Sequence, residues 1–423
     1  MFNIRDLHIE KELLPLIDFT TNEFSRNVLL EILNQPLDSV EEIFQRQIVI
    51  KGFIANYEIL KNYTYSRREL MEILLFLKQS NFRENHKRNQ RLQLLFSEQN
   101  RHRQASNLIQ VVLFLNRLQL YYISRLNLTT FPESYKKDLI KISDFLRGLD
   151  LPKYELLIRE QKFKVKHIVE LTRLYAKPIL NGEFEDFWNT LFTFEAYLSI
   201  SLGIVKHKWE FPSFSKTEFT LVDFYHPMLV NPVVNSFTTK SNVVLITGPN
   251  MSGKSTFLKA VGLCVYLAHI GLGVPARKAN IFFTDSISIS INLNDDILSG
   301  YSHFMTEVIN LKKVITEATE NKHCFAAFDE LFRGTNNEDA VEISATTIKG
   351  LTKFRNSIFF ISTHLQELKE IDEVKEQKIS TFYIDCELKD NNPVFTYEVK
   401  EGWSNLKVGR ILFEKEGLND LLN

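Results

Sequence analysis

The chain has 423 residues, enough for two or three domains with cores of their own. At 44% hydrophobic and 24% charged residues its composition is that of a globular protein, which excludes extensive disorder and a membrane-embedded fold. A formal net charge of −1 gives no long-range attraction to nucleic acid, so any such contact has to come from a local patch.

The N-terminal stretch MFNIRDLHIEKELL carries charges throughout and lacks the apolar core of a signal peptide. Residues 1–210 read as an all-helical domain. SRNVLLEILNQPLDSVEEIFQRQIVIKGF has apolar residues at helical spacing, interrupted once at Pro36, and two long apolar helical stretches follow, NLIQVVLFLNRLQLYYI and FWNTLFTFEAYLSISLGIV. Ahead of these two stretches lies the richest basic segment, residues 82–104, with six Arg or Lys against two Glu. Arg83, Lys87, Arg88, Arg91, Arg101 and Arg103 are its candidate phosphate contacts on double-stranded DNA. A solvated helical face explains the same charges. Aromatic residues interleave poorly with them, which speaks against base stacking on single strands.

The character changes near residue 210. EFPSFSKTEFTLVDFYHPML is proline-punctuated and extended, and from there strands alternate with helices over residues 211–423. Strands are predicted at 243–247, 286–293, 325–328 and 358–362, and helices from Lys254, Ser302 and about Asn337. This order implies an α/β sandwich with a mostly parallel sheet. The apolar run 257–275 is broken by Lys259, His269 and several glycines, and is too short and polar to span a bilayer. Cys264, Cys324 and Cys386 are odd in number and widely spaced. That argues against a disulfide framework or zinc site and fits a reducing cytosol, so a cytoplasmic location is expected.

The chemistry concentrates in four places. GPNMSGKS at 248–255 fits the phosphate-binding pattern G-x-x-x-x-G-K-[ST], with a strand before it and a helix after it. Its glycines let backbone N–H groups turn in on phosphate oxygens, and the helix start adds its positive end. Lys254 supplies a cation to the β- and γ-phosphates and Ser255 a hydroxyl to Mg²⁺. In CFAAFDEL a buried strand ends in Asp329 and Glu330. One of these can hold Mg²⁺ through water while the other activates the attacking water. FFISTHLQEL ends a strand at His364, where a γ-phosphate sensor would stand. In the fourth, Phe304, Val308, Leu311, Ile315 and Ala318 recur at spacings of four and three, one face of an amphipathic helix that starts at Ser302. Two roles are open to Ser302: a local N-cap, or a contact to ATP bound by another subunit.

Together, TGPNMSGKST, DILSGYSHFMTE, DELFRGTNNEDA and STH resemble the ATPase domain of the MutS DNA mismatch-repair family, in order and spacing. YHPML at 225–229 is similar to a segment at the edge of that domain, and FTYEVKEGWSNLKVGRILFEKEGL to its last strand and helix. The resemblance extends weakly into the first half, where Phe24 stands at a position that is more often glycine.

The resemblance implies an all-helical core/lever domain over 1–210, with its clamp reduced or absent, and an ABC-like P-loop ATPase domain over 211–423. It implies a short member that starts at the core domain, without a mismatch-reading or connector domain. It further implies Gly248, Pro249, Asn250, Met251, Ser252, Gly253, Lys254, Ser255 and Thr256 as the nucleotide cradle and Ser255 and Asp329 as the Mg²⁺ side. Glu330 would be the general base, with Lys254 and His364 beside it and Ser302 acting across a homodimer interface. Arg333, Gly334 and Thr335 would lie in the loop joining catalysis to that interface. The family also holds adenine with a residue upstream of the cradle, for which Phe237 is a candidate. The expected function is ATP hydrolysis that moves helical levers on DNA, in mismatch repair or related DNA maintenance. A dimeric ATPase switch acting on a protein partner is the alternative.

Overall fold

The structure is a computed structural model of the chain; it describes residues 2–78, 97–291, 303–320, 322–332, 334–389 and 392–404, together with positions 411, 413, 415, 421 and 422. The chain divides into two compact units. One is built from Leu16–Leu33 and Gln45–Lys206, the other from Met1–Pro15, Asn34–Phe44 and His207–Asn423. Two N-terminal segments thus group with residues 207–423.

The first unit is helical. Its helices are α1 (Glu23–Asn34), α2 (Val40–Ala55), α3 (Arg67–Lys78), α4 (Glu98–Tyr121), α5 (Glu133–Gly148), α6 (Leu151–Arg159), α7 (Val165–Leu180) and α8 (Glu183–His207), the ends of α1, α2 and α8 running into the other unit. Pro36 falls between α1 and α2, as its missing N–H and fixed φ require. Phe53, Phe114, Tyr154, Tyr175 and Phe194 fill the core. On α8, Glu195 is buried, and four side chains donate to its carboxylate: Tyr63 at 2.6 Å, Asn22 at 2.8 Å, Tyr65 at 2.9 Å and Ser25 at 2.5 Å. Burial pushes this carboxyl above its usual range, and the four donors oppose that. Asn22 serves twice, since its Oδ1 also accepts the Ser25 N–H in the first turn of α1.

The second unit holds two sheets. The larger has seven strands in the order β1 (Phe2–Asn3), β7 (Ser286–Ser290), β8 (Cys324–Asp329), β9 (Ile358–Thr363), β5 (Val243–Thr247), β10 (Ser380–Lys389) and β11 (Asn392–Glu401). Neighbours pair parallel except β10 with β11. Strands β5, β8 and β9 are buried along their whole length, which is why they read as continuous apolar runs rather than alternating ones. The smaller sheet is β2 (Ser213–Ser215), β6 (Lys278–Phe282), β3 (Phe219–Phe224) and β4 (Asn235–Thr239), and it is antiparallel except for β2 with β6.

Helices α9 (Lys254–His269), α10 (His303–Thr319) and α11 (Asn337–Leu351) connect the parallel strands. The apolar face of α10 packs as its spacing predicts: Leu311 is buried, with Phe304, Val308 and Ile315 partly buried against the same core. Strand β1 corrects the all-helical reading of residues 1–210. It is two residues long, below what periodicity can register, and it forms only because β7 offers a free edge.

Candidate active site

The register of the parallel strands decides where the polar residues meet. Thr247 pairs with Thr363, and Asp329 with Ser362, so β5, β8 and β9 end side by side. In an open parallel sheet ligands bind beyond such carboxyl ends.

From β5 the chain enters the loop 248–253. Gly248 and Gly253 have φ of 144° and 103°, in the region that favours glycine, and Met251 stands at 69° with its side chain 74% exposed. A Cβ on Gly248 would lie 2.9 Å from Ser252 Oγ and 3.2 Å from the Ile384 carbonyl, so no larger residue fits there. Ser252 is fully buried, and its Oγ has no hydrogen-bond partner among the described residues. Pro249 is buried, Asn250 exposed and Thr256 half-buried on the first turn of α9.

Lys254 is buried, and its Nζ donates to the carbonyls of Gly248 (3.0 Å) and Pro249 (3.2 Å). The same ammonium lies 3.4 Å from Glu330 Oε1. Glu330 Oε2 in turn is 3.6 Å from Nδ1 of His364, whose side chain is 53% exposed. Ser255 Oγ donates to Asp329 Oδ2 at 2.5 Å. Five residues drawn from three separate motifs therefore converge: Lys254, Ser255, Asp329, Glu330 and His364.

Ser362 was missed by the sequence reading, although it stands two residues before His364. Its hydroxyl donates to Asp329 Oδ1 and accepts the Glu330 N–H at 3.0 Å, and its carbonyl accepts the same N–H at 3.2 Å. Glu330 needs that support, because its φ of 55° is left-handed and costly for a residue with a Cβ.

Phe237 is corrected. It is buried and packed against Phe219, Phe224, Phe257, Phe360 and Phe382, so it is a core residue with no face to offer a base. The aromatic ring beside the cradle is Tyr397, 48% exposed, with Cδ1 3.3 Å from where a Cβ on Gly253 would stand. Tyr397 sits at φ 59°, where the β10–β11 register shifts by a bulge. Asn235 holds the bulge: its Nδ2 donates to the Tyr397 carbonyl (3.0 Å) and its Oδ1 accepts the Val399 N–H (2.8 Å).

The expected Mg²⁺ has a donor set of suitable chemistry. Ser255 and Asp329 present adjacent hard oxygens, and among the described residues no group of three or more His, Cys, Asp or Glu forms a cage. Mg²⁺ suits such a corner, since it is commonly held by one or two protein oxygens together with substrate phosphate and water. Ser302 and Arg333 lie outside the described residues, as do Arg83, Lys87, Arg88 and Arg91. Arg101 and Arg103 lie on α4 in the helical unit, and Arg101 is 3.4 Å from Glu98. No helix among the described residues is long and apolar enough to cross a membrane.

A family model of MutS domain V matches residues 244–417, which include all five converging residues. The chain is similar to proteins named DNA mismatch repair protein MutS. It is 35% identical to that of Ehrlichia ruminantium (strain Gardel) over 211 residues, 50% of this chain and 26% of the relative. It is 32% identical to that of Bacillus subtilis (strain 168) over 206 residues, 47% of this chain and 24% of the relative. With that of Streptococcus equi subsp. equi (strain 4047) it shares 28% identity over 336 residues, 76% of this chain and 39% of the relative. The chain thus spans less than half the length of each of these relatives.

Proposed function

We propose that the chain, whose residues 244–417 match MutS domain V, is a MutS-family member that hydrolyses ATP to ADP and phosphate in the site built by Lys254, Ser255, Asp329, Glu330 and His364, and that it works as a homodimer on double-stranded DNA. The observation that carries this reading is the convergence of a cation, a hydroxyl–carboxylate pair and a second carboxylate at the ends of β5, β8 and β9.

In this reading the loop 248–255 binds the phosphates through its backbone N–H groups, and Lys254 exchanges its loop carbonyls for phosphate oxygens. Ser255 and Asp329 would hold Mg²⁺, which supplies charge neutralisation on the phosphates. Glu330 accepts the proton of the attacking water, and His364 orients that carboxylate from its other side. Tyr397, propped on its bulge, offers a flat ring to the nucleotide base. The work of such a site is mostly positioning and charge stabilisation. The helical unit would contact DNA phosphates, with Arg101 and Arg103 as candidates on α4.

Glu330→Gln tests the reading, because it keeps the shape of the side chain and removes the base. The Mg-ATP affinity is expected to stay within about threefold while turnover falls by about 100-fold or more. Turnover at the wild-type rate would place the base elsewhere.

A further inference from the structure

We propose that Glu307, on α10, is a positioning residue for hydrolysis: it fixes the loop that carries Glu330, without touching the nucleotide. This rests on the reading of Glu330 as the base. Glu307 is buried, and its Oε2 accepts the backbone N–H of Phe332 at 2.6 Å. Phe332 has φ 66° and Glu330 φ 55°, so the loop after β8 holds two left-handed residues with a single residue between them. Such a backbone persists only where its surroundings over-determine it.

Two sides supply that constraint. From β9, Ser362 holds the Glu330 N–H through its hydroxyl and carbonyl. From α10, three contacts act on two later residues of the loop, Phe332 and Gly334. Glu307 takes the Phe332 N–H, the Phe304 ring lies 6.0 Å from the Phe332 ring, and Gly334 presses on Phe304 so closely that a Cβ there would stand 3.1 Å from the Phe304 nitrogen. Ser362 fixes where the loop begins; Glu307 fixes how it turns after the base. Glu307, Asn310, Asp329 and Glu330 also line one small cleft, together with Ser290. Its free space is about 10 Å³, the size of one water position. Relaxation of the loop therefore has room to carry Glu330 off its line. A displacement on the order of 1 Å in a reacting group can cost about 100-fold in rate.

The test uses the full chain with Mg-ATP, measuring kcat, KM, the affinity of a fluorescent ATP analogue and the thermal midpoint for each variant. Glu307→Ala removes the acceptor and is expected to lower kcat by about 10- to 100-fold, with nucleotide affinity within about threefold of wild type. Glu307→Gln keeps an oxygen where Phe332 donates and is expected to recover most of that loss. Glu307→Asp keeps the charge but withdraws the acceptor, so it should fall with the alanine variant; it decides the matter if Glu307→Ala does not fold. A kcat within about threefold of wild type in both shortened variants overturns the proposal, as does a parallel loss of kcat and nucleotide affinity. Glu330→Gln is assayed alongside. If it still turns over, the assignment of the base has failed. If it is inactive while Glu307→Asp is not, only the positioning role has failed.

Discussion

His269, at the end of α9, is a histidine that the fold holds neutral. It has no exposed surface, its Nδ1 donates to the Val265 carbonyl at 2.7 Å, and its Nε2 accepts the Thr284 N–H at 2.9 Å. Burial pushes its pKa down from 6.5 to about 4, because a charged imidazole there would lose its water and its acceptor role together. A folded value below the unfolded one means that the unfolded chain binds the proton more readily. The stabilisation is therefore complete above pH 6.5 and drains away as pH falls through about 4, with a ceiling of about 3 kcal/mol. Denaturant unfolding at several pH values should show His269→Gln less stable than wild type near neutrality, with the gap narrowing toward pH 4. Equal pH slopes for the two proteins would remove His269 from the account. In the sequence this residue was visible only as a polar break in an apolar run, since Thr284 and Phe283, which receive it, lie in a later loop.

At the scale of elements, legibility followed the span of the cause. The strand–loop–helix setting of residues 248–255 was readable because its pattern is local: glycines, a lysine and a hydroxyl within eight consecutive residues. The support of the site was not, because it is made by distant pairs. Asn235 and Tyr397 are 162 residues apart, and the bulge they share is invisible to any window on the sequence. The same limit hid β1. It pairs Phe2 with Ile287 and Asn3 with Ser288, and Asp6 Oδ2 continues the ladder by accepting the Ile291 N–H at 2.7 Å. Leu7, Ile9, Leu13 and Leu14 follow it into the core. Each such burial stabilises by about 2 kcal/mol, and β1 covers an edge of β7 that would otherwise invite pairing with another chain. The segment 34–44 adds the Leu37 N–H on the His269 carbonyl and the Phe44 ring against Phe214. A chain cut at residue 210 should therefore melt about 10 °C or more below the intact protein, or aggregate. An unchanged midpoint in the cut chain would show that these segments contribute little.

For the molecule as a whole, the proposed site is open where the proposed chemistry needs it closed. His364 is 53% exposed, Met251 74% and Tyr397 48%, all beside the cradle. Water at such a site weakens the electrostatic terms on which phosphoryl transfer depends, and closing a site against it strengthens them. A second copy of the chain is the proposed lid, so turnover per subunit should rise with subunit concentration and level off once dimers dominate. Duplex DNA enters the same experiment. With a net charge of −1 any hold on DNA must come from local contacts, for which Arg101 and Arg103 are the proposed candidates, and such contacts weaken as salt displaces them. DNA is expected to change the rate at about 50 mM salt and to lose most of that effect by about 200 mM. A rate per subunit that stays flat with concentration would argue against a shared site. A concentration-dependent rate that ignores DNA at both salts would keep the dimer and turn the helical unit toward a protein partner, since the same ATPase would then be moving something other than DNA.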